Sequence, residues 1–461
     1  MFRNKVRTIH FVGIGGIGMS GIAEVLLTLG FAVTGSDLKD SPSVVRLRAL
    51  GAVVHLGHRP ENIGTADVVV RSSAVTAENP EIAAALTAKV PVIQRAEMLG
   101  ELMRLKYGIG VAGTHGKTTT TSMIAQCLGT AGMDPTVVIG GKLDSLGGTN
   151  ARLGAGDWLV AEADESDGTF LLLSPTVSVI TNIDPEHMEH YGTLERLEDS
   201  FLEFANRVPF YGYSVLCLDH PRVASLIGRI RRRVVTYGYA RRADYRVGVP
   251  EFTGMKSRFS VWQGEEALGE IELGMPGRHN VQNAGACIAT ALEMGIAFDQ
   301  IQAALSGFTG VHRRFTVVAD VADVLVVDDY GHHPVEIEAT LAAAEAGFPE
   351  RRVIAVFQPH RYSRVHDLWS DFQGAFNRAD IVLVTPIYAA GEAPLEGVDA
   401  TALAEGMRDR GHRGAQAVGS LDEALSWLEL HVRAGDLVIT LGAGNVNSLC
   451  GELASYLGTR G

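Results

Sequence analysis

One turn limits what this chain can fold into more than any other feature: Gly113-Thr114-His115-Gly116-Lys117-Thr118-Thr119-Thr120. Gly108-Ile109-Gly110-Val111-Ala112 before it reads as a short buried strand. Residues Thr119 to Gly129 after it carry apolar side chains at helical spacing, so the turn joins strand to helix. Backbone N–H groups at such a helix start face an anion, a lysine there supplies charge for outer phosphates, and a following threonine hydroxyl suits Mg2+. The strict phosphate-loop pattern wants a glycine where this chain has Val111, so the match is to a shortened variant built on Gly113. The plain alternative is a glycine-rich helix start with a solvated lysine.

A length of 461 residues suggests about three domains. Hydrophobic residues make up 46% and charged residues 20%, and no apolar run reaches the length of a transmembrane span. The basic start Met1 to Arg7 leads into a glycine-rich turn and not into a signal-peptide core, so a cytoplasmic location without stable membrane association is expected. Cys127, Cys217, Cys287 and Cys450 stand singly on apolar segments, which argues against a disulfide framework or a thiolate metal site. The formal charge of −13 disfavours nucleic acid as a partner, so any nucleotide must be held by local positive charge.

Short apolar strands alternate with helical patterns in three stretches. The first holds Thr8–Val12, Ala32–Ser36 and Val68–Val70; the second opens near Tyr107 and includes 158–161 and 177–180; the third starts after Gly310 with strands at 324–327, 353–356, 381–384 and 437–440. An α/β chain of three domains follows, with boundaries near residues 106 and 311: a Rossmann-like domain over 1–106, a phosphate-loop ATPase-like domain over 107–311 and a second Rossmann-like domain over 312–461.

Gly13-Ile14-Gly15-Gly16-Ile17-Gly18 satisfies the dinucleotide pattern, with Asp37 closing the next strand at the spacing of a ribose-binding acid. Alone it reads as a nicotinamide enzyme, yet its physical content is a backbone that admits any diphosphate at a helix end. Glu162-Ala163-Asp164-Glu165-Ser166-Asp167 follows a strand end; a solvated acidic loop is the bland reading, and Glu162, nearest the strand, is the favoured Mg2+ ligand. His187, in Asn182-Ile183-Asp184-Pro185-Glu186-His187, is either a metal ligand or a satisfied polar group. Asn280 and Asn283 open a later helix, where Asn280 reads as a cap. Arg313-Arg314, Asp328-Asp329-Tyr330-Gly331-His332-His333 and His360-Arg361-Tyr362-Ser363-Arg364 gather arginines, histidines and carboxylates suited to a transferring phosphoryl group and a carboxylate; exposed solvated charge is the alternative for any one of them.

Taken in order, these motifs resemble the Mur ligases, and within them the branch that adds L-alanine; the likeness runs from Gly13 to about Gly444. The resemblance implies an early cytoplasmic step of peptidoglycan synthesis. In it the lactyl carboxylate of UDP-N-acetylmuramate is phosphorylated by ATP and the L-alanine amine attacks the acyl phosphate. It implies that residues 1–106 bind the UDP-sugar through Gly15, Gly16, Gly18, Asp37 and Ser73. Residues 107–311 would hold ATP through Gly113, Thr114, His115, Gly116, Lys117, Thr118 and Thr119, with Asn283 at the adenine. Thr118 and Glu162 would take one Mg2+, and Glu162 with His187 a second. Residues 312–461 would close over ATP with Arg314 and Asp329, while Tyr330, His332, His360, Arg361 and Arg364 surround the reacting carboxylate and the amino acid. Catalytic weight would fall on Lys117, His187, His332, Arg361 and Arg364. A monomer or weak homodimer is expected.

Several relatives place a carbamylated lysine after the histidine motif; the matching position here is Ser200, a gap that the L-alanine-adding branch shares. Three rivals stay open from sequence: a recycling ligase that attaches an intact peptide to the same UDP-sugar, a nicotinamide oxidoreductase using the Gly13 to Gly18 turn, and a noncatalytic nucleotide-binding regulator, against which the many charged motifs at strand ends count.

Overall fold

The computed structural model describes residues 5–72, 74–143 and 149–460; Ser73 lies outside the described residues. The chain divides into two compact units. One holds the residues up to Gly248 with 260–271 and 282–308, the other 249–259, 272–281 and the chain from Thr309 onward. Among the described residues no helix is long and apolar enough to cross a membrane.

The first unit contains two sheets. The N-terminal one has five parallel strands in the order Val53–Leu56, Ala32–Asp37, Thr8–Val12, Val68–Arg71, Val92–Gln94. Strand order reverses beside Thr8–Val12, and the glycine turn leaves that strand at the switch point where ligands of open α/β sheets collect. Val53–Leu56 and Val92–Gln94 escaped the sequence reading: both are edge strands, exposed or half-buried at all but one residue, and lack the fully buried apolar run of the central strands.

The second sheet has eleven strands; six of them run in parallel in the order Arg233–Gly238, Tyr213–Cys217, Val177–Ile180, Tyr107–Ala112, Trp158–Glu162, Thr136–Leu143, and others, such as Thr149–Arg152 beside Thr136–Leu143, join antiparallel. Val177–Ile180 and Tyr213–Cys217 are buried at every residue, as strands covered on both faces must be. Tyr107–Ala112 lies mid-sheet, so the phosphate turn starts from a strand fixed on both sides. One apolar core runs from Phe11 and Met19 through Leu99 and Leu102 to Phe170, Phe201 and Phe204.

In the second unit, Thr316–Val321 pairs antiparallel with Val324–Asp329, followed in parallel order by Asp436–Leu441, Arg352–Phe357, Ile381–Val384 and Ala415–Ala417. The four strands expected from sequence are all present, three of them a little longer than the apolar run and Ile381–Val384 matching it. Apolar side chains from both faces of this sheet form two clusters, one around Phe357 and Phe372 and the other around Val356 and Leu453.

Two expectations change. Asn280 does not cap helix Arg278–Glu293: its amide donates to the carbonyl of Pro276 at 2.7 Å, pinning the turn that precedes the helix. The cysteines are all buried free thiols, as packing residues would be, but Cys127 and Cys287 are not isolated; their sulfurs meet at 3.3 Å across 160 residues of sequence.

Phe204 is fully buried with its ring 5.1 Å from that of Phe170. Phe204→Ala is expected to cost about 3–5 kcal/mol and to lower the urea midpoint of the first unit's transition; an unchanged midpoint would remove Phe204 from the core argument.

Candidate active site

The phosphate turn is held by the strand beside it. Its backbone leaves Ala112 through Gly113 at φ +136° and reaches the helix through Gly116 at φ +81°. Both angles favour glycine, and space demands it too: a Cβ on Gly113 would collide with the Thr181 hydroxyl, and one on Gly116 would lie 2.5 Å from Oδ1 of Asn283. Asn182 Oδ1 accepts from the His115 N–H at 2.7 Å. Thr181 Oγ1 and Asn182 Nδ2 donate to the His115 carbonyl at 2.6 and 3.0 Å, and the Asp184 N–H donates to Thr114 Oγ1 at 2.8 Å. The Thr181–Asp184 motif therefore shapes the turn. Gly116 supplies no side-chain cap to helix Lys117–Thr130, so that helix begins with its N–H groups facing the turn.

Lys117 folds back over this turn. Its ammonium donates to the carbonyls of Gly113 at 2.6 Å and Thr114 at 3.1 Å and pairs with Glu165, whose two oxygens lie at 3.0 and 2.9 Å. Burial works against the lysine charge, but Glu165, Asp164 and Glu186 outweigh it and hold the pKa above its ordinary value. The acidic run is thereby sorted. Glu165 takes Lys117, Asp164 accepts from the Ser166 N–H at 3.1 Å and faces Arg95 at 3.6 Å, and Asp167 accepts from the Thr169 N–H at 3.0 Å. Glu162 closes strand Trp158–Glu162.

Among the described residues no three carboxylate, histidine or cysteine groups form a ready-made metal cage. A phosphate-bound Mg2+ needs only one or two protein oxygens, and Thr118 on the first helical turn and Glu162 at the strand end offer that donor set. His187, in a left-handed conformation at φ +59°, has its pKa lowered chiefly by burial, which keeps the ring neutral and its lone pair available. The Ser200 hydroxyl turns back to the carbonyl of Arg196 at 2.9 Å on helix Leu194–Asn206.

At the N-terminal glycine turn, the N–H groups of Gly13 and Ile14 donate to the Ser36 carbonyl, and Gly15 N–H donates to Asp37 Oδ2 at 2.8 Å. Asp37 thus closes the turn itself. A Cβ on Gly15 would meet that carboxylate, and one on Gly18 would meet the guanidinium of Arg95, both at 2.8 Å. Behind the turn, buried Glu81 accepts from Ser36 Oγ at 2.5 Å and Asn62 Nδ2 at 2.6 Å and pairs with His10 at 3.3 Å. Burial opposes its charge, but these donors pull its pKa down to about 2.

In the second unit the Arg-Arg turn, the strand end at Asp329 and the His360 loop converge. Arg313 pairs with Asp328 at 3.0 Å and donates to the Gly442 carbonyl at 2.6 Å. Arg314 reaches Glu336 at 3.2 Å. Both oxygens of Asp329 serve backbone: Oδ2 accepts from Phe315 N–H at 2.8 Å and Oδ1 from Gly331 N–H at 2.7 Å. Four rings then run in a row: Tyr330 to His332 at 5.3 Å, His332 to His360 at 6.0 Å, and His360 to Tyr388 at 5.5 Å and nearly parallel. Arg313 and Arg314 lie over the Tyr330 ring at 5.1 and 5.4 Å, and Arg364 Nη1 lies 3.4 Å from His360 Nδ1. Arg361 sits at φ +66° with its N–H bonded to the Tyr388 carbonyl at 2.9 Å, a strained backbone at a site loop.

Each unit therefore gathers its own share of the expected residues. Sequence reasoning missed Glu81, Arg95, Glu336 and Tyr388, and named Glu165 within the acidic run without pairing it with Lys117. Only Glu336 carried a local signal, four residues after His332 and on the first turn of helix Pro334–Gly347.

A strand–turn–helix of the phosphate-loop type in an α/β chain, with an acidic strand end facing the turn, is the pattern of a nucleotide-dependent enzyme class, and comparison with known proteins places the chain within a family. Residues 8–107 match the Mur ligase family catalytic domain, 111–291 the Mur ligase middle domain, and 313–444 the Mur ligase glutamate ligase domain; the chain belongs to the Mur ligase family. It is 55% identical to the UDP-N-acetylmuramate--L-alanine ligase of Sorangium cellulosum over 99% of this chain and 98% of that one. The fold matches the crystal structure of UDP-N-acetylmuramate-alanine ligase MurC from Thermotoga maritima with TM-score 0.83 and 30% identity, covering 98% of this chain and 100% of that one. A murein peptide ligase from Psychrobacter arcticus shares the fold at TM-score 0.71 and 24% identity, over 98% and 99% of the two chains.

Burial, with His332, Arg364 and Arg361 alongside, pushes the His360 pKa down to about 4. An unfolded histidine titrates near 6.5, so between these values the unfolded chain binds the extra proton, and the stability owed to a neutral His360 is lost as pH falls from about 6.5 towards 4. Asp329, pushed up to about 6 by burial, acts in the opposite sense, so the histidine must be isolated by mutation. His360→Asn should lose less stability than the wild type between pH 7 and pH 5 in urea titrations; equal losses would assign the acid sensitivity elsewhere.

Proposed function

We propose that this chain joins L-alanine to the lactyl carboxylate of UDP-N-acetylmuramate in an ATP-driven reaction. The observation that carries this reading is the near-full-length likeness to ligases named for that reaction, with the phosphate turn, the acidic strand end and the His-Arg loops present in order. A carboxylate is a poor acyl donor until one of its oxygens becomes a phosphate. The lactyl carboxylate therefore attacks the γ-phosphorus and ADP leaves; the L-alanine amine then attacks the acyl carbon, phosphate leaves and the nitrogen gives up its proton. The protein's part is positioning and charge neutralisation.

In this reading Gly15, Gly16, Gly18 and Asp37 receive the UDP portion, together with Ser73. Gly113 to Thr119 wrap the ATP phosphates, and Lys117 exchanges Glu165 and the turn carbonyls for β- and γ-oxygens, a move favoured because its charge is already maintained at the turn. Asn283, packed against Gly116, stands at the adenine side. Thr118 and Glu162 would hold one Mg2+, and Glu162 with neutral His187 a second, supplying charge neutralisation for the transferring phosphoryl group. Arg314 serves the nucleotide and Asp329 fixes the turn that carries it. Tyr330, His332, His360, Arg361 and Arg364 surround the reacting carboxylate and the amino acid. Residues 1–106, 107–311 and 312–461 would thus divide the UDP-sugar, ATP with Mg2+, and amino-acid roles, the last closing over ATP.

Phosphate release should require UDP-N-acetylmuramate, ATP, Mg2+ and L-alanine together. Free L-alanine should outcompete the tripeptide L-alanyl-γ-D-glutamyl-meso-diaminopimelate; the reverse preference would select the peptide-attaching reading. Lys117→Ala and Glu162→Ala are each expected to lower turnover by at least about a hundredfold without unfolding the protein, and normal turnover in either folded variant would break the corresponding assignment.

A further inference from the structure

Glu336 has no place in the reaction just described, yet its carboxylate occupies a junction. It lies on the first turn of helix Pro334–Gly347, 12% exposed. Oε1 faces Arg314 Nη1 at 3.2 Å, from a turn 22 residues upstream. Oε2 accepts from the His332 N–H at 3.2 Å and lies 3.5 Å from His332 Nδ1. A glutamate at this helical position often reaches back to a preceding N–H to cap the helix, and Oε2 does that here. Capping uses one oxygen; the other is committed to a cation that capping does not need.

We propose that Glu336 is a positioning residue for ligation: one oxygen fixes the guanidinium of Arg314 and the other fixes the backbone and ring of His332, setting the nucleotide-side cation and the acceptor-side imidazole in register. The inference rests on the ligase reading for what these two groups serve. Its geometry lies within one compact unit.

Two features of the surroundings support it. His332 Nδ1 has two acceptors, the Tyr330 carbonyl at 3.1 Å and Glu336 Oε2, so the ring proton sits on Nδ1 and Nε2 becomes the acceptor nitrogen; a carboxylate behind an imidazole fixes the tautomer in this way. Burial works against the charge of Arg314, and Glu336 is the foremost group that restores it, ahead of Asp329. A half-buried guanidinium without that partner would reorient towards other acceptors, because an unpaired buried charge is costly. Asp329 completes the frame, tying Phe315 and Gly331, the neighbours of Arg314 and Tyr330, to the strand end.

Glu336→Gln separates the two roles, since glutamine caps as glutamate does but cannot grip a guanidinium as an anion. The variant should fold with an unfolding midpoint close to that of the wild type. Its kcat for phosphate release with all four components should fall about tenfold or more and its KM for ATP and for L-alanine rise, while KM for UDP-N-acetylmuramate moves least, because the groups proposed for its UDP portion lie on the N-terminal sheet. In an Arg314→Lys background the same substitution should cost less than about threefold further, the non-additivity expected of two groups acting as one unit. Glu336→Asp, with charge kept and reach shortened, should recover part of the rate. A folded Glu336→Gln within twofold of wild type, or a full penalty persisting in the Arg314→Lys background, would overturn the proposal. Failure of the wild-type protein to release phosphate would instead overturn the ligase reading itself, so the two failures are distinguishable.

Discussion

The backbone between Ala112 and Lys117 is the constraint on which the first unit's chemistry depends. It must leave a buried central strand, pass through two left-handed glycines and present the bare start of a helix within a few residues. Such a path has no apolar face to bury, so nothing in its own packing holds it. Its shape comes from Thr181, Asn182 and Asp184 at the end of the neighbouring strand, whose polar atoms meet the turn's own N–H, hydroxyl and carbonyl groups. The order of strands in the sheet is therefore part of the site: Val177–Ile180 must pair beside Tyr107–Ala112 for the template to exist.

Charge in this molecule is kept where it is needed by partners chosen from distant sequence. Lys117 remains charged because Glu165 and Asp164 face it, and Glu81 stays ionised at zero exposure because four donors from three segments converge on it. His360 is the counter-example: arginines around it and burial keep it neutral. A net charge of −13 is compatible with nucleotide binding because the positive groups are local.

How much of this was legible depends on whether a signal was local. The phosphate turn announced itself because glycine, lysine and threonine at fixed offsets have few other uses, and buried parallel strands such as 324–327 showed as short valine-rich runs. Glu162 stood out among its acidic neighbours from its place at the strand end, whereas the partners of Asp164, Glu165 and Asp167 are set by the tertiary structure alone. Asn280 was misread because a side chain near a helix start can accept or donate, and only the position of the Pro276 carbonyl decides which.

The sequence by itself determined the class of fold, the order of the three α/β segments and the residue types at the phosphate turn, because backbone conformation and side-chain period are encoded over stretches of a few residues. Tertiary structure alone decided the pairings: Arg95 against Gly18, Cys127 against Cys287, Tyr388 against His360, and Glu336 between Arg314 and His332. Apart from Glu336 and His332, which are four residues apart, each joins positions whose separation along the chain carries no periodic signal. Such contacts are fixed by strand order and by where loops are forced to meet at the ends of the strands, and neither is written in any one stretch of sequence.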